Sequence, residues 1–160
     1  MGKTSAFYDI FESKVGTLYL IFLKKSLTGV SFKKPHRVPF KKGHAPGNFI
    51  KELGNYFHGK DTGFSQTIQF LAGTEFEKRV WNCLKDIPCG ETRTYKWVAE
   101  KIDSPSATRA VGKALSKNPV PIVLPCHRVI ESDGSIGGYS SGVDIKRRLL
   151  EMEYYLKIKV

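Results

Sequence analysis

Cysteine is scarce in this chain: Cys83, Cys89 and Cys126 are the only three among 160 residues. An odd, sparse set excludes the disulfide frameworks of small secreted proteins. No C-x-x-C or H-x-x-x-H spacing occurs, so a four-ligand zinc site has nothing to build on, and neither metal nor cofactor is expected. Reactive thiol, buried apolar side chain and isolated metal ligand stay open for each cysteine. Long apolar runs are missing too. The longest, Leu18 to Leu23, is six residues with a tyrosine inside it, far below the ~20 needed to cross a bilayer. The first residues show neither the apolar block nor the cleavage site of a secretory leader. The expectation is a soluble, cytoplasmic protein with no membrane partner. No internal repeat is visible.

Acidic residues are outnumbered, 15 against 26 basic ones, for a net charge of +11. A field of that sign attracts polyanions. Residues 1–70 hold 11 basic and 4 acidic side chains, and residues 71–160 hold 15 and 11. The excess is heaviest at Lys24-Lys25, Lys33-Lys34 and Lys41-Lys42, which read as solvated surface.

The first third reads as strands. Ala6–Glu12, Gly16–Leu23 and Thr28–Phe32 are short, rich in aromatic and branched residues, and separated by turn residues, which predicts an antiparallel meander. Lys34–Gly47, with Pro35, Pro39, Gly43 and Pro46, predicts a loop. Phe49, Ile50, Leu53, Tyr56 and Phe57 then share one helical face, ending near Gly59 and suited to cover the sheet.

A second module begins near Thr74. Thr74 and Glu77 form a capping box, and Phe76, Val80, Trp81, Leu84 and Ile87 supply the buried stripe of the helix. Cys83 beside that stripe reads as core packing. A Cys83–Cys89 bridge is possible but is not needed. Two short helices follow, Tyr95–Ile102 and Ser106–Ser116, separated by Asp103-Ser104-Pro105-Ser106 as turn and N-cap. The second turns Val111 and Leu115 inward and carries Arg109, Gly112 and Lys113 outside. By pattern alone, the pair reads equally well as a helix-turn-helix or as a structural helix pair. Gly112 costs the helix about 1 kcal/mol against alanine, which suits a place where something bulky comes close.

The run Asn118-Pro119-Val120-Pro121-Ile122-Val123-Leu124-Pro125-Cys126-His127-Arg128-Val129 is the most informative. It predicts an apolar strand, Val120–Leu124, framed by prolines that hold Cys126 in one place. A thiol beside an imidazole suggests an activated nucleophile. Neighbouring side chains of an extended segment point apart, so a bridging water between Cys126 and His127 is more plausible than a direct bond. The glycine-rich loop Ser132–Gly142 can set backbone groups against a planar ligand. In the last helix, predicted from about Val143, Glu153 lies at the edge of the inner face of Ile145, Leu149, Met152 and Leu156. It can orient His127 or form an exposed pair with Lys157, and the residues alone favour the exposed pair.

The Pro-Cys-His-Arg-Val motif, with Tyr95, Arg109-Ala110-Val111-Gly112, Asn118-Pro119-Val120-Pro121-Ile122, Gly137-Gly138-Tyr139-Ser140 and Glu153, resembles the O6-alkylguanine-DNA alkyltransferase family. The resemblance covers about Thr74 to Leu156. It implies an α/β fold: residues 1–70 as a ribonuclease H-like antiparallel sheet with a helix, and residues 71–160 as a mostly helical DNA-binding and alkyl-acceptor domain containing a helix-turn-helix. It implies that O6-alkylguanine, and O4-alkylthymine, is flipped out of double-stranded DNA and that its alkyl group passes irreversibly to Cys126. His127 would take the thiol proton through water, Glu153 would orient His127, and Asn118 would hold the turn. This turns Glu153 away from the surface reading. Tyr95 would contact the flipped base or its phosphate, and Arg109 would fill the vacated stack. Ala110 and Gly112 would let the second helix enter the minor groove. The Ser140 N–H would face O6, and the Cys126 and Val129 carbonyls would accept from the guanine amino group. The chain would act as a monomer, with cooperative assembly on DNA left open. Two other classes compete: a DNA-binding module that does not need Cys126, and a thiol hydrolase with repeated turnover.

Overall fold

The computed structural model describes residues 6–36, 41–60 and 63–158. The chain divides into two compact units, Met1–Leu71 and Ala72–Val160.

In the first unit, β1 (Ala6–Ser13), β2 (Gly16–Leu23) and β3 (Ser26–Ser31) form the expected antiparallel meander. Strict alternation in β2 sends Leu18, Leu20 and Phe22 inward, all fully buried, because successive strand residues face opposite sides. Helix α1 (Gly47–Phe57) lays Phe49, Leu53, Tyr56 and Phe57 over them, and the Phe22 and Phe49 rings meet edge-on at 5.9 Å. Each such side chain contributes about 1.5–3 kcal/mol of burial. One expectation needs correcting. Inside the predicted loop, Lys41–Lys42 forms a short strand, β4, pairing parallel with Phe7 and Tyr8, so the sheet order is β3-β2-β1-β4. A bare sheet edge supplied partners that local composition does not reveal. Pro39 of that loop lies outside the described residues.

In the second unit, α2 (Glu75–Cys83) starts at the predicted capping box. Thr74 Oγ1 accepts from the Glu77 N–H at 3.1 Å, and the Glu77 carboxylate accepts from the Thr74 N–H at 2.9 Å. The helix tightens to a 3-10 turn over Leu84–Asp86. Its buried side chains include Val80, Trp81, Leu84 and Ile87, while Phe76 is half-buried. The Trp81 indole donates to the Ala114 carbonyl at 2.7 Å, tying α2 to the later helix that carries Ala114. Strand β5 (Arg93–Thr94) pairs parallel with β6 (Val129–Ile130). Helix α3 (Tyr95–Lys101) is capped by the Thr94 hydroxyl, which accepts from the Trp97 N–H at 3.0 Å.

Helix α4 (Thr108–Ser116) starts two residues later than expected. Ala107 is its N-cap, and no side chain caps it. The Asp103–Ser106 turn instead finishes α3. Asp103 sits at φ 59°, and the Ser104 N–H returns to the Ala99 carbonyl at 2.9 Å, a closure typical of helix C-termini. Helix α5 (Val143–Ile158) closes the unit. No helix among the described residues is long and apolar enough to cross a membrane.

Candidate active site

The predicted strand before Cys126 does not form. Val120–Leu124 folds into a tight buried turn, in which the Leu124 N–H donates to the Val120 carbonyl at 3.0 Å and Ile122 adopts φ 77°. Pro119, Pro121 and Pro125 have no N–H to donate to a ladder. Asn118 braces the turn from within. Its amide donates to the Leu124 carbonyl at 2.8 Å, and its side-chain oxygen accepts from the Val120 N–H at 3.0 Å. Cys126 is therefore delivered by a side-chain-clamped turn into a 3-10 turn, Cys126–Arg128, and not by a strand end.

All three residues of that turn are buried. Behind them α5 presents Glu153, which is 1% exposed. His127 Nε2 lies 2.7 Å from one carboxylate oxygen. Arg128 grips the same group with Nε and Nη2 at 2.8 and 3.0 Å, and its Nη1 donates to the Ile87 carbonyl at 2.8 Å. Burial alone would raise the Glu153 carboxyl, but His127 and Arg128 outweigh it and hold the group well below the usual carboxylate range. Burial keeps the imidazole of His127 neutral, depressing its pKa against the pull of Glu153, with Arg128 and Lys146 acting in the same direction as burial. A neutral imidazole facing a carboxylate donates through Nε2–H, which leaves Nδ1 as a bare acceptor. Nδ1 is buried and has no hydrogen-bond partner among the described residues.

Burial also pushes the Cys126 thiol up. The Asn118 amide, the Lys146 ammonium and the Tyr139 hydroxyl oppose this without overcoming it, so the resting thiol carries its proton. The thiol lines a cavity of about 270 Å³ with Tyr95, Gly112, Leu115, Ser116, Gly138, Tyr139 and Ser140. A Cβ on Gly137, at φ 74°, would come within 2.8 Å of the Tyr95 hydroxyl, so only glycine lets the loop pass there. Among the described residues, and apart from its own helix backbone and chain neighbours, a Cβ on Gly112 would come no closer than 4.0 Å, to the Tyr95 ring. Internal packing therefore does not demand that glycine.

The structure thus gathers Cys126, His127, Glu153 and Asn118 into one network and sets Tyr95, Gly112 and Ser140 around the cavity. Arg109 and Ala110 lie apart from it, exposed on the outer side of α4. The Val129 carbonyl already accepts from Lys146 Nζ at 2.7 Å, and its second lone pair can take another donor. None of Cys83, Cys89 and Cys126 is held in a disulfide.

Two residues of the site escaped the sequence reading. Arg128 had a signal, since it follows His127 inside the motif. Lys146 had one in its spacing: it shares the inner face of α5 with Leu149 and Glu153 at i+3 and i+7. It is fully buried. Besides Val129 it donates to the Gly138 carbonyl at 3.1 Å, and it lies 6.0 Å from the centre of the Tyr95 ring. Burial draws its pKa down to about 8 from 10.5. Between those values the unfolded chain binds the proton that the folded one has shed, so stability rises with pH across that window. Lys146→Met is expected to flatten that rise, as measured by chemical unfolding from about pH 7.5 to about pH 10.5. An unchanged slope would contradict the burial of a titrating ammonium.

A protonated thiol at the floor of a cavity, backed by a neutral imidazole and an anchored carboxylate, defines a protein that works through a cysteine nucleophile. The family described as 6-O-methylguanine DNA methyltransferase, DNA binding domain, matches residues 75–155. The methylated-DNA–protein-cysteine methyltransferase of Methanosarcina acetivorans is 42% identical, over 92% of this chain and 97% of its own. The crystal structure of Mycobacterium tuberculosis O6-methylguanine methyltransferase superposes with a TM-score of 0.85 at 38% identity, covering 93% of both chains. A crystal structure of the mycobacterial protein in complex with DNA gives 0.87 at 38% identity, covering 94% of both. The chain belongs to the methylated-DNA–protein-cysteine methyltransferase family, the one that its Pro125–Val129 motif resembles.

Proposed function

We propose that this protein repairs DNA by accepting the alkyl group of O6-alkylguanine, and of O4-alkylthymine, on Cys126 in a single irreversible turnover. The observation that carries this is a buried thiol lining the cavity, followed in the chain by a histidine anchored through Nε2 to Glu153 with Nδ1 left open. The Cys126 sulfur attacks the alkyl carbon as its proton passes through a water to His127 Nδ1. A carbon–sulfur bond forms and the bond from carbon to O6 breaks. Its electron pair returns to the guanine, which takes up a proton from water, the imidazolium later returning the thiol's proton to solvent, and leaves as the normal base. Glu153, itself fixed by Arg128, holds the imidazolium that forms. A thioether has no chemical route back, so each molecule acts once.

A stacked base cannot reach this cavity, so the nucleotide is extruded at a cost of a few kcal/mol. Among the described residues Arg109 has no ion-pair or hydrogen-bond partner for its exposed side chain, which leaves it able to enter the vacated stack. Ala110 and Gly112 let α4, as the second helix of a helix-turn-helix, lie close to the minor groove. Tyr95 contacts the flipped nucleotide, the Ser140 N–H faces O6, and the Cys126 and Val129 carbonyls receive the guanine amino group. Asn118 keeps the turn in place. Residues 71–160 form this DNA-binding and acceptor domain, and residues 1–70 form a ribonuclease H-like domain. The protein is cytoplasmic and monomeric when free.

The test is incubation with an oligonucleotide labelled in its O6-methyl group, followed by peptide mapping. One label per molecule, on Cys126 alone, is expected. Repeated turnover or label elsewhere would overturn the proposal. Arg109→Ala is expected to slow transfer at least ~10-fold, equivalent to about 1.4 kcal/mol of missing support for the extruded state, while weakening binding to unmodified duplex much less. Equal losses would remove Arg109 from the stack.

A further inference from the structure

We propose that one end of the N-terminal sheet is a second contact surface for the phosphodiester backbone of DNA, formed by Lys24, Lys25, Lys41 and Lys42. This rests on DNA being the partner, as proposed for the active site. The sheet register brings the four together. Lys24 and Lys25 form the tip of the β2–β3 hairpin, between the paired residues Leu23 and Ser26. Leu23 pairs with Ala6 of β1, and the next residues of β1, Phe7 and Tyr8, pair with Lys41 and Lys42. With strands about 4.8 Å apart, β2 and β4 flank β1 within roughly 10 Å. Two doublets far apart in sequence therefore share one end of the sheet. Lys33 and Lys34 follow Ser31, at the opposite end of β3.

All four side chains are exposed, and among the described residues none forms an ion pair or hydrogen bond through its ammonium group. The acidic side chains among the described residues of this unit bond elsewhere. Asp9 accepts from the Ile10 and Ala45 N–H groups, Glu12 from the Thr17 hydroxyl, and Glu52 from Ser65. None of these carboxylates forms an ion pair with any of the four ammonium groups, which stay open to an outside anion. Lys24 also sits at φ 55°, a backbone conformation that glycine or asparagine takes more readily. Long, flexible point charges with no aromatic or amide side chain among them suit phosphate oxygens and read no base sequence.

The experiment compares full-length wild type with the variant Lys24→Gln/Lys25→Gln/Lys41→Gln/Lys42→Gln. Affinity for an unmodified duplex is measured over a series of salt concentrations. Every lysine–phosphate pairing that the variant cannot make lowers the slope of log affinity against log salt by about 0.9. A fall of roughly 2 to 3.5 is expected, with affinity at low salt reduced at least ~10-fold. Alkyl transfer from a free alkylated guanine base, which has no phosphate, should proceed at the wild-type rate and reports an intact fold. Lys33→Gln/Lys34→Gln should change the slope by less.

A wild-type slope in the fourfold variant would overturn the proposal. So would a wild-type slope accompanied by aggregation, which would make Lys41 and Lys42 guards of an exposed strand edge. Loss of binding to an acidic polypeptide with the DNA slope unchanged would also overturn it, assigning the face to a protein partner. If wild type transferred no alkyl group yet showed the lysine-dependent slope, the repair reading would fail and this surface would stand.

Discussion

Replacing Cys126 with alanine is expected to abolish alkyl transfer outright while leaving affinity for duplex DNA within about a factor of two, because in the proposed function binding rests on α4 and on charge. The sulfur is the bond-forming atom, and no neighbouring group can take over. Cys83 and Cys89 are only half-buried, but the cavity is lined by neither of them. Burial also raises the Cys83 thiol to about 11, so little of it is thiolate at neutral pH. Removing one buried sulfur costs on the order of 1 kcal/mol of stability, too little to unfold a typical domain. The measurements are label incorporation and duplex affinity on the same preparation. Residual transfer by the alanine variant would sink the acceptor assignment. Loss of binding in parallel with transfer would mean that the thiol shapes the interface as well.

Glu153→Gln should injure both fold and chemistry, for one reason. Glu153 is the carboxylate set against the buried Arg128 guanidinium, which it holds at 2.8 and 3.0 Å. Removing one partner of a buried pair typically costs about 3–5 kcal/mol, chiefly because the other charge is stranded. The same change frees the His127 ring. An amide can donate as well as accept, so Nε2 no longer has to carry the proton. Any population with the proton on Nδ1 cannot accept one from the thiol. General-base loss of that kind costs about 10²–10⁴ in rate.

The pH dependence supplies an independent readout. Glu153 and His127 are both depressed in the folded state. The unfolded chain therefore binds protons first as pH falls, below about 6.5 for His127 and then below about 4.5 for Glu153. Wild-type stability should decline through both windows, while the glutamine variant loses the lower one. A variant as stable as wild type at pH 7, with an unchanged acid profile, would contradict the network.

Much of the fold was legible because its causes are local. The alternation of Leu18, Leu20 and Phe22, the helical face of Phe49, Leu53 and Tyr56, and the Thr74–Glu77 capping box each depend on residues a few positions apart. Failures came where a partner was distant. Strand β4 exists because β1 offers an edge, and α4 lacks the cap expected of it because the Asp103–Ser106 turn ends α3. In Val120–Leu124 an apolar run has the composition of a strand. Its prolines suggest a frame, yet their missing N–H groups forbid the ladder, and Asn118 supplies the bonds instead.

The candidate site divides along the same line. The amino-acid sequence by itself determined the family, through Pro-Cys-His-Arg-Val and the motifs around it, and marked Cys126 and His127 as a thiol beside a base. Neither needs a third dimension, since both are read from residues contiguous along the chain. By the residues alone a surface pairing with Lys157 fits Glu153 better; the family resemblance pointed it toward His127, and tertiary structure set it against both His127 and Arg128. The Lys157 side chain itself lies outside the described residues. Tertiary structure likewise buried Lys146 beneath the Val129 carbonyl. The cost of burying a charge depends on everything packed around it, and that information is spread over the whole domain.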